Sequence, residues 1–178
     1  MSELRTNRIV PRDGLVSGAS GGIIQIAITQ KSDIFTWDSN GDVAITGMSV
    51  SITPTRSDSK VLVQVQIGAN GTTNAVYPIF WQLYKNGSQI PTAKGDGTAG
   101  ASDPVRCATY TKNALYYSGS STSFSFLDSP STTSATTYQL YGQRHASAGV
   151  CYFNATGRDI NERYARAIST ITAMEVSG

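Results

Sequence analysis

Residues 123–142 read SFSFLDSPSTTSATTYQLYG, and this stretch decides the fold class. Phe124 and Phe126 alternate with serines at its start, and the same alternation returns in TTYQLY at its end. A period of two is typical of a strand with one buried face. Asp128 can bond the backbone two residues on and Pro130 lacks a ladder donor, so we expect a corner between the two strands. The stretch therefore predicts a long antiparallel pair at the middle of a β-sandwich.

The composition of the whole chain agrees with an all-β protein. Only 15% of its 178 residues are charged, and glycine, serine and threonine are abundant, which disfavours helices and suits short strands joined by tight turns. This length fits one domain with a core of its own. The net charge of +2 is spread along the chain and forms no basic cluster, which argues against a nucleic-acid partner.

Further alternating segments surround the opening stretch on both sides. Asn86-Gly87 separates two of them and has the residue types that a type I′ hairpin turn requires. Together the segments predict nine to eleven strands at the spacing of a sandwich or barrel. The strongest are Ile23–Thr29, Met48–Thr53, Lys60–Ile67, Ile79–Lys85 and Ala167–Val176; the weaker are Ile34–Trp37, Arg106–Tyr110, Ala114–Tyr117 and Val150–Asn154.

The first 22 residues differ from the rest of the chain and predict an extended N-terminal arm and linker, followed by a sandwich domain over residues 23–178. Apolar residues are too sparse here for a helix face, and the segment ends in a glycine-rich linker. Its three arginines offer planar groups for carboxylates or carbonyl oxygens of a partner. The predicted partner-binding residues of the arm are Leu4, Arg5, Arg8, Ile9, Val10, Pro11 and Arg12.

Groups that could support catalysis or metal binding are few. His145 is the only histidine and is interpreted as a solvent-facing loop residue, which leaves the common metal clusters without ligands. Asp159 or Glu162 could face another acid across an interface and cut polysaccharide, but turn and ion-pair roles account for the acids equally well. We therefore expect no enzyme activity, no cofactor and no metal. Nine tyrosines and two tryptophans could line a glycan-binding surface, although their strand positions favour packing.

The cysteines and the lack of a long apolar run bear on location. No segment approaches the ~20 apolar residues of a membrane span, so we expect the chain to stay in the cytoplasm of the cell that makes it. In that compartment Cys107 and Cys151 are expected to be reduced, buried thiols.

Seven segments, taken together, resemble small virion proteins of tailed bacteriophages, notably those of cyanobacterial phages. Segments of the same kind occur there in the same order, and they extend over nearly the whole chain. In this sequence they are LRTNRIVPRDG (4–14), SGASGGIIQ (17–25), SKVLV (59–63), LYKNG (83–87), FLDSP (126–130), TTY (136–138) and STITAME (169–175).

The resemblance implies a jelly-roll-like domain that assembles as a homotrimer on the virion surface without catalysis. The first hypothesis is a capsid decoration or cement protein whose arm binds the major capsid protein. The alternative is a tail-fibre or baseplate tip that binds a host-surface glycan through loops such as Thr92–Asp103 and Ser118–Ser123, although the chain lacks the shaft of a fibre.

Overall fold

The fold of the protein is all-β. A computed structural model describes residues 22–74, 76–95, 107–113, 118–157 and 165–177. Within these ranges the chain forms eleven strands and no helix, as the composition predicted. The strands are β1 (Ile23–Lys31), β2 (Phe35–Trp37), β3 (Asp42–Ile52), β4 (Lys60–Thr72), β5 (Ile79–Lys85), β6 (Ser88–Gln89), β7 (Thr109–Thr111), β8 (Ser120–Asp128), β9 (Thr136–Arg144), β10 (Cys151–Phe153) and β11 (Ser169–Val176).

The strands form two antiparallel sheets. The six-stranded sheet has the order β1-β11-β4-β10-β2, and β8 pairs with the other side of β4. The five-stranded sheet has the order β3-β9-β5-β6, and β7 pairs with β5. The sheets approach each other at their margins: the hydroxyls of Thr109 and Thr122 lie 3.4 Å apart on one side, and Gln25 Nε2 donates to the Thr53 carbonyl on the other. The sandwich is therefore curled towards a half-barrel.

The core lies between the sheets and follows the alternation in the sequence. Aliphatic side chains of β4 pack towards rings from the opposite sheet, and the rings of Trp81 and Phe153 meet edge to face with centroids 5.7 Å apart. Gly142 leaves the room that the indole of Trp37 needs, because a Cβ there would lie 2.8 Å from that ring. The residues of β4 and β9 that face the core are Val61, Val63, Val65, Ile67, Tyr138 and Leu140.

The prediction for residues 123–142 was right about the strands and wrong about their pairing. β8 pairs with β4 in the six-stranded sheet, whereas β9 pairs with β3 and β5 in the other. The segment between them, residues 129–135, crosses from one sheet to the other, with Ser131 at a φ of 51°. A proline and a run of small polar residues end a strand equally well before a hairpin or a crossing, so the sequence did not distinguish the two.

The hairpin at Asn86-Gly87 is confirmed. Both residues have positive φ, 49° and 81°, and Lys85 pairs with Ser88 directly beside them. Several strands are longer than predicted. β3 begins at Asp42 instead of Met48, because a bulge at Gly47, with a φ of 81°, interrupts its alternation without ending the pairing with β9.

The jelly-roll connectivity and the extended arm stay predictions. Residues 1–21 lie outside the described part of the chain, as do the predicted strand Ala114–Tyr117 and most of the loop Thr92–Asp103.

Candidate interaction surface

The outer face of the six-stranded sheet carries a row of exposed apolar side chains. Ile26, Met174, Leu62 and Leu127 are consecutive cross-strand partners on β1, β11, β4 and β8. We call these four residues the apolar row. Ile26 and Leu127 at its ends are 60% and 56% exposed, and the two residues between them are half-buried. Ile28 extends the apolar surface on β1 and is 65% exposed.

The register of the sheet explains why these residues face outward. Their neighbours along each strand, such as Val63 on β4 and Ala173 on β11, point into the core. Because side chains alternate, the row must lie on the opposite face. On β1 the small Ala27 faces the core, and the larger isoleucines on either side of it are left outside.

A polar groove of about 600 Å³ lies beside the apolar row on the same face. Its volume is in the range of ligand-binding clefts. Val65 and Phe124 contribute to its lining, and its polar side chains carry only amides and hydroxyls. None of these polar side chains has a hydrogen-bond partner within the described residues. The polar groove is lined by the side chains of Gln64, Gln66, Ser123, Ser125, Thr170 and Thr172.

The apolar row and the polar groove carry no charge, and Lys60, the next outward residue on β4, lies at their edge and donates to Ser129. Three cross-strand rows of four residues run over β1, β11, β4 and β8: the apolar row, then Ile28-Thr172-Gln64-Ser125, then Gln30-Thr170-Gln66-Ser123. Depletion of charge, with apolar groups beside satisfiable polar groups, is typical of the centre of a protein–protein interface. Another molecule can therefore cover these three rows without burying a charge.

The outer face of the five-stranded sheet is different: it is aromatic, and its polar groups bond one another. Tyr84 and Tyr141 stack with ring centroids 3.7 Å apart, and Tyr84 Oη donates to Asp42 Oδ2 at 2.5 Å. Gln82 Nε2 donates to Asp42 Oδ1 at 2.7 Å and to Gln143 Oε1 at 3.0 Å. Burial, together with the hydrogen bond to Asp42, raises the pKa of Tyr84 above its ordinary value. We call this surface, with Phe80 and Tyr110 on the neighbouring positions, the aromatic face.

Beneath the six-stranded face a buried carboxylate ties the ends of the domain together. Glu175 is fully buried, and its oxygens accept hydrogen bonds from Gln25 Nε2 at 2.6 Å and from the Thr55 amide and hydroxyl at 2.7 and 2.8 Å. Burial acts to raise the pKa of Glu175, but the surrounding donors outweigh it and hold the pKa below its usual value. The charge is thus stabilised by neutral donors that join β1, β11 and the segment after β3.

A second buried acid links the two sheets. Asp128, at the end of β8, accepts hydrogen bonds from Lys85 Nζ at 2.9 Å and Tyr138 Oη at 2.7 Å, both on the opposite sheet. Burial, together with the hydrogen bond from Tyr138 to Asp128, raises the pKa of Tyr138 above its ordinary value. Asp128 was predicted to bond the backbone of its own corner; its side chain instead fastens the crossing from β8 to β9.

The predicted site residues of the arm cannot be placed against these surfaces. Leu4, Arg5, Arg8, Ile9, Val10, Pro11 and Arg12 lie outside the described residues, as do Asp159 and Glu162. His145 is half-buried in its loop: its ring stacks on Tyr77 at 4.6 Å, and Nδ1 accepts a hydrogen bond from the Ser147 amide.

The cysteines are both free thiols. Cys151 is buried as expected, and burial raises its pKa to about 12, against the opposing effect of Arg144. Cys107 is only half-buried, which corrects the expectation of two buried thiols. Among the described residues no three acids, cysteines or histidines cluster as metal ligands would, and no helix there has the length and apolarity to cross a membrane.

Comparison with known proteins leaves the surfaces to be interpreted from their own chemistry. No protein-family model matches the chain, and no curated protein is similar to it.

Sequence reasoning did not single out the apolar row. The isoleucines of β1 alternate with polar residues in the same way as a buried face would, so hydrophobicity alone gave no signal that they face outward. One signal was present on β8: Leu127 shares its parity with Ser123 and Ser125, the polar side of that strand.

Proposed function

We propose that the chain is a non-enzymatic structural protein of a bacteriophage virion, which self-associates as a homotrimer and decorates the head as a cement protein. The proposal includes a jelly-roll-like connectivity for the sandwich and binding of the major capsid protein by the N-terminal arm. Its sequence basis is the resemblance described above. Its structural support is the three uncharged cross-strand rows on the outer face of the six-stranded sheet.

The apolar row is the observation that carries the self-association. An isoleucine or leucine side chain removed from water contributes roughly 1.5–3 kcal/mol, so leaving several on one face is unfavourable for an isolated chain in water. Further copies of the chain are the proposed occupants, because the same uncharged rows of three subunits can pack around a common threefold axis without repulsion or buried charge. The hydroxyls and amides of the polar groove then supply hydrogen bonds at the margin.

The position of the arm is compatible with the same assembly. The 21 residues before Gly22 enter the domain at β1, the strand that carries Ile26 and Ile28. Fully extended, they can reach about 70 Å, at roughly 3.3 Å per residue. That length is sufficient to extend past a neighbouring subunit and bind the shell.

Gel densitometry of purified particles tests the location. A cement protein is expected at a copy number close to that of the major capsid protein, whereas a few per cent of that number would favour the tail. Absence from particles would contradict the proposal.

A truncation tests the arm separately. Deleting Met1–Gly14 should leave a folded trimer that no longer binds heads. Head binding at full occupancy by the truncated protein would exclude the arm as the anchor. The full-length chain and a variant with alanine at Arg5, Arg8 and Arg12 are the matched comparisons, since they separate the contribution of charge from that of length.

A tail-fibre or baseplate tip remains the second candidate, favoured by the aromatic face. Most of the loop Thr92–Asp103, first considered for glycan binding, lies outside the described residues. The other proposed loop, Ser118–Ser123, was wrongly predicted, because residues from Ser120 onward form the start of β8. Copy number in the particle distinguishes this candidate from a cement protein.

A further inference from the structure

We propose that the aromatic face of the five-stranded sheet binds a neutral saccharide. This inference concerns the sheet face opposite the proposed subunit interface, and it does not depend on the chain being a virion protein. It rests on three features of the face: the arrangement of its rings, its polar floor and its charge.

The rings are placed along β5 and its neighbours. Phe80, Gln82 and Tyr84 face outward at alternate positions, so the two rings lie about 13 Å apart on either side of the amide. Tyr110 on β7 pairs with Phe80 on β5 and is 60% exposed. Tyr141 stacks on Tyr84. The exposed side of a ring matches the C–H face of a sugar, and this spacing accommodates a short oligosaccharide.

The floor between the rings has donors and acceptors side by side. Asp42 offers acceptor oxygens, and Gln143 Nε2 is a donor without a partner among the described residues. Gln82 is 3% exposed, and its Oε1 likewise has no partner in the described part of the chain. That oxygen has no accessible surface, so a ligand would meet the floor at the exposed Asp42 and the half-buried Gln143. Adjacent sugar hydroxyls fit these two groups, since each can donate one hydrogen bond and accept another.

The charge and rigidity of the face favour a neutral ligand. Asp42 is the one charged side chain among these residues, and it would repel an acidic sugar. The bonds from Tyr84 and Gln82 to Asp42 hold the floor in place before a ligand arrives. Binding to a preorganised surface loses less conformational entropy.

The test uses the full chain on an array of immobilised neutral and acidic glycans, followed by titration calorimetry with the free oligosaccharide of the best neutral glycan. Tyr110→Ala should weaken binding about two- to tenfold, since one aromatic contact contributes roughly 0.5–1.5 kcal/mol. Gln143→Ala should weaken it as well. Tyr152→Ala, on the other sheet, is the matched aromatic control and should bind like the parent chain.

Three results would overturn the proposal. One is the absence of binding to any neutral glycan on the array. Another is binding restricted to acidic glycans. The last is equal affinity in the parent chain, Tyr110→Ala and Gln143→Ala when circular dichroism shows all three folded.

Discussion

The two outer faces of the sandwich differ in where their polar side chains find hydrogen-bond partners. On the aromatic face, the polar side chains bond one another, with Asp42 accepting from Gln82 and Tyr84. On the six-stranded face, amides and hydroxyls such as Gln64 and Ser125 have no partner in the described residues and stand next to exposed isoleucines. The first face is organised within one chain. The polar groups of the second find no partners within the described chain, and on this basis we propose that another copy of the chain covers it.

The largest expected effect comes from placing a charge in the apolar row. Ile26→Glu or Leu127→Glu would bury an unpaired carboxylate at the proposed subunit interface, at a cost of several kcal/mol. We expect the dissociation constant of the assembly to rise at least 100-fold. Light scattering after size exclusion should give three times the 18.9 kDa chain mass for the parent and a single chain mass for the variants.

Tyr110→Glu places the same charge on the aromatic face and is the control for that experiment. It should keep the mass of the parent. If Tyr110→Glu also reduces the measured mass to that of a single chain, the distinction between the two faces is wrong.

Glu175→Gln should reduce the stability of the domain without altering either face. The amide cannot accept all the hydrogen bonds from Gln25 and Thr55, so the free energy of unfolding should fall by roughly 2 kcal/mol. Urea denaturation at matched protein concentration measures this loss. An unchanged midpoint would mean that the buried carboxylate contributes little.

Acid titration of the same variant tests how the stability of the domain depends on the ionisation of Glu175. The pKa of Glu175 is lowered in the folded state, so its contribution is present above the ordinary glutamate pKa of about 4.3 and is lost as the pH falls through the folded value. The parent should therefore lose stability more steeply than Glu175→Gln between about pH 5 and pH 3. Parallel curves would contradict the assignment.

Asp42→Asn tests whether the aromatic face is held by its own network. Loss of the charge-assisted bonds from Tyr84 and Gln82 should reduce the free energy of unfolding by about 1 kcal/mol. It should also move the titration of Tyr84 to lower pH, because Asp42 contributes to the raised pKa. Ultraviolet absorbance of tyrosinate follows that shift, with Tyr84→Phe identifying the signal.

The smallest expected effects are in the polar groove. Ser125→Ala and Gln64→Ala remove groups without partners in the described chain. When either substitution is added to Ile26→Glu, which is expected to be dissociated, the free energy of unfolding should change by less than about 0.5 kcal/mol. Thermal denaturation measures this. A loss above 1 kcal/mol would show that the groove is stabilised within one chain, as the aromatic face is.

Local patterns in the sequence predicted much of the fold. The Asn86-Gly87 turn was recognisable because few residue pairs adopt positive φ at both positions, and the alternation in β4 predicted both the strand and its buried face. These features depend on residues close together in the chain.

Features that depend on distant residues were not predictable. The outward direction of Ile26 follows from the small Ala27 fitting against the core, which requires the opposite sheet to be known. The separation of β8 from β9 has a similar cause, since Asp128 bonds Lys85 and Tyr138 across the sandwich. The aromatic face combines residues from β3, β5, β7 and β9, and no linear motif in the sequence connects them.

The most direct test of the central claim is the oxidation rate of Met174 by hydrogen peroxide, followed by peptide mass spectrometry. Met174 lies in the apolar row, and Met48, fully buried in the core, is the internal reference. If another copy covers the face, Met174 should react slowly at high protein concentration and faster on dilution or in Ile26→Glu. A fast rate for Met174 at every concentration, with Met48 protected throughout, would show that the face is free and would contradict the assignment of a subunit interface.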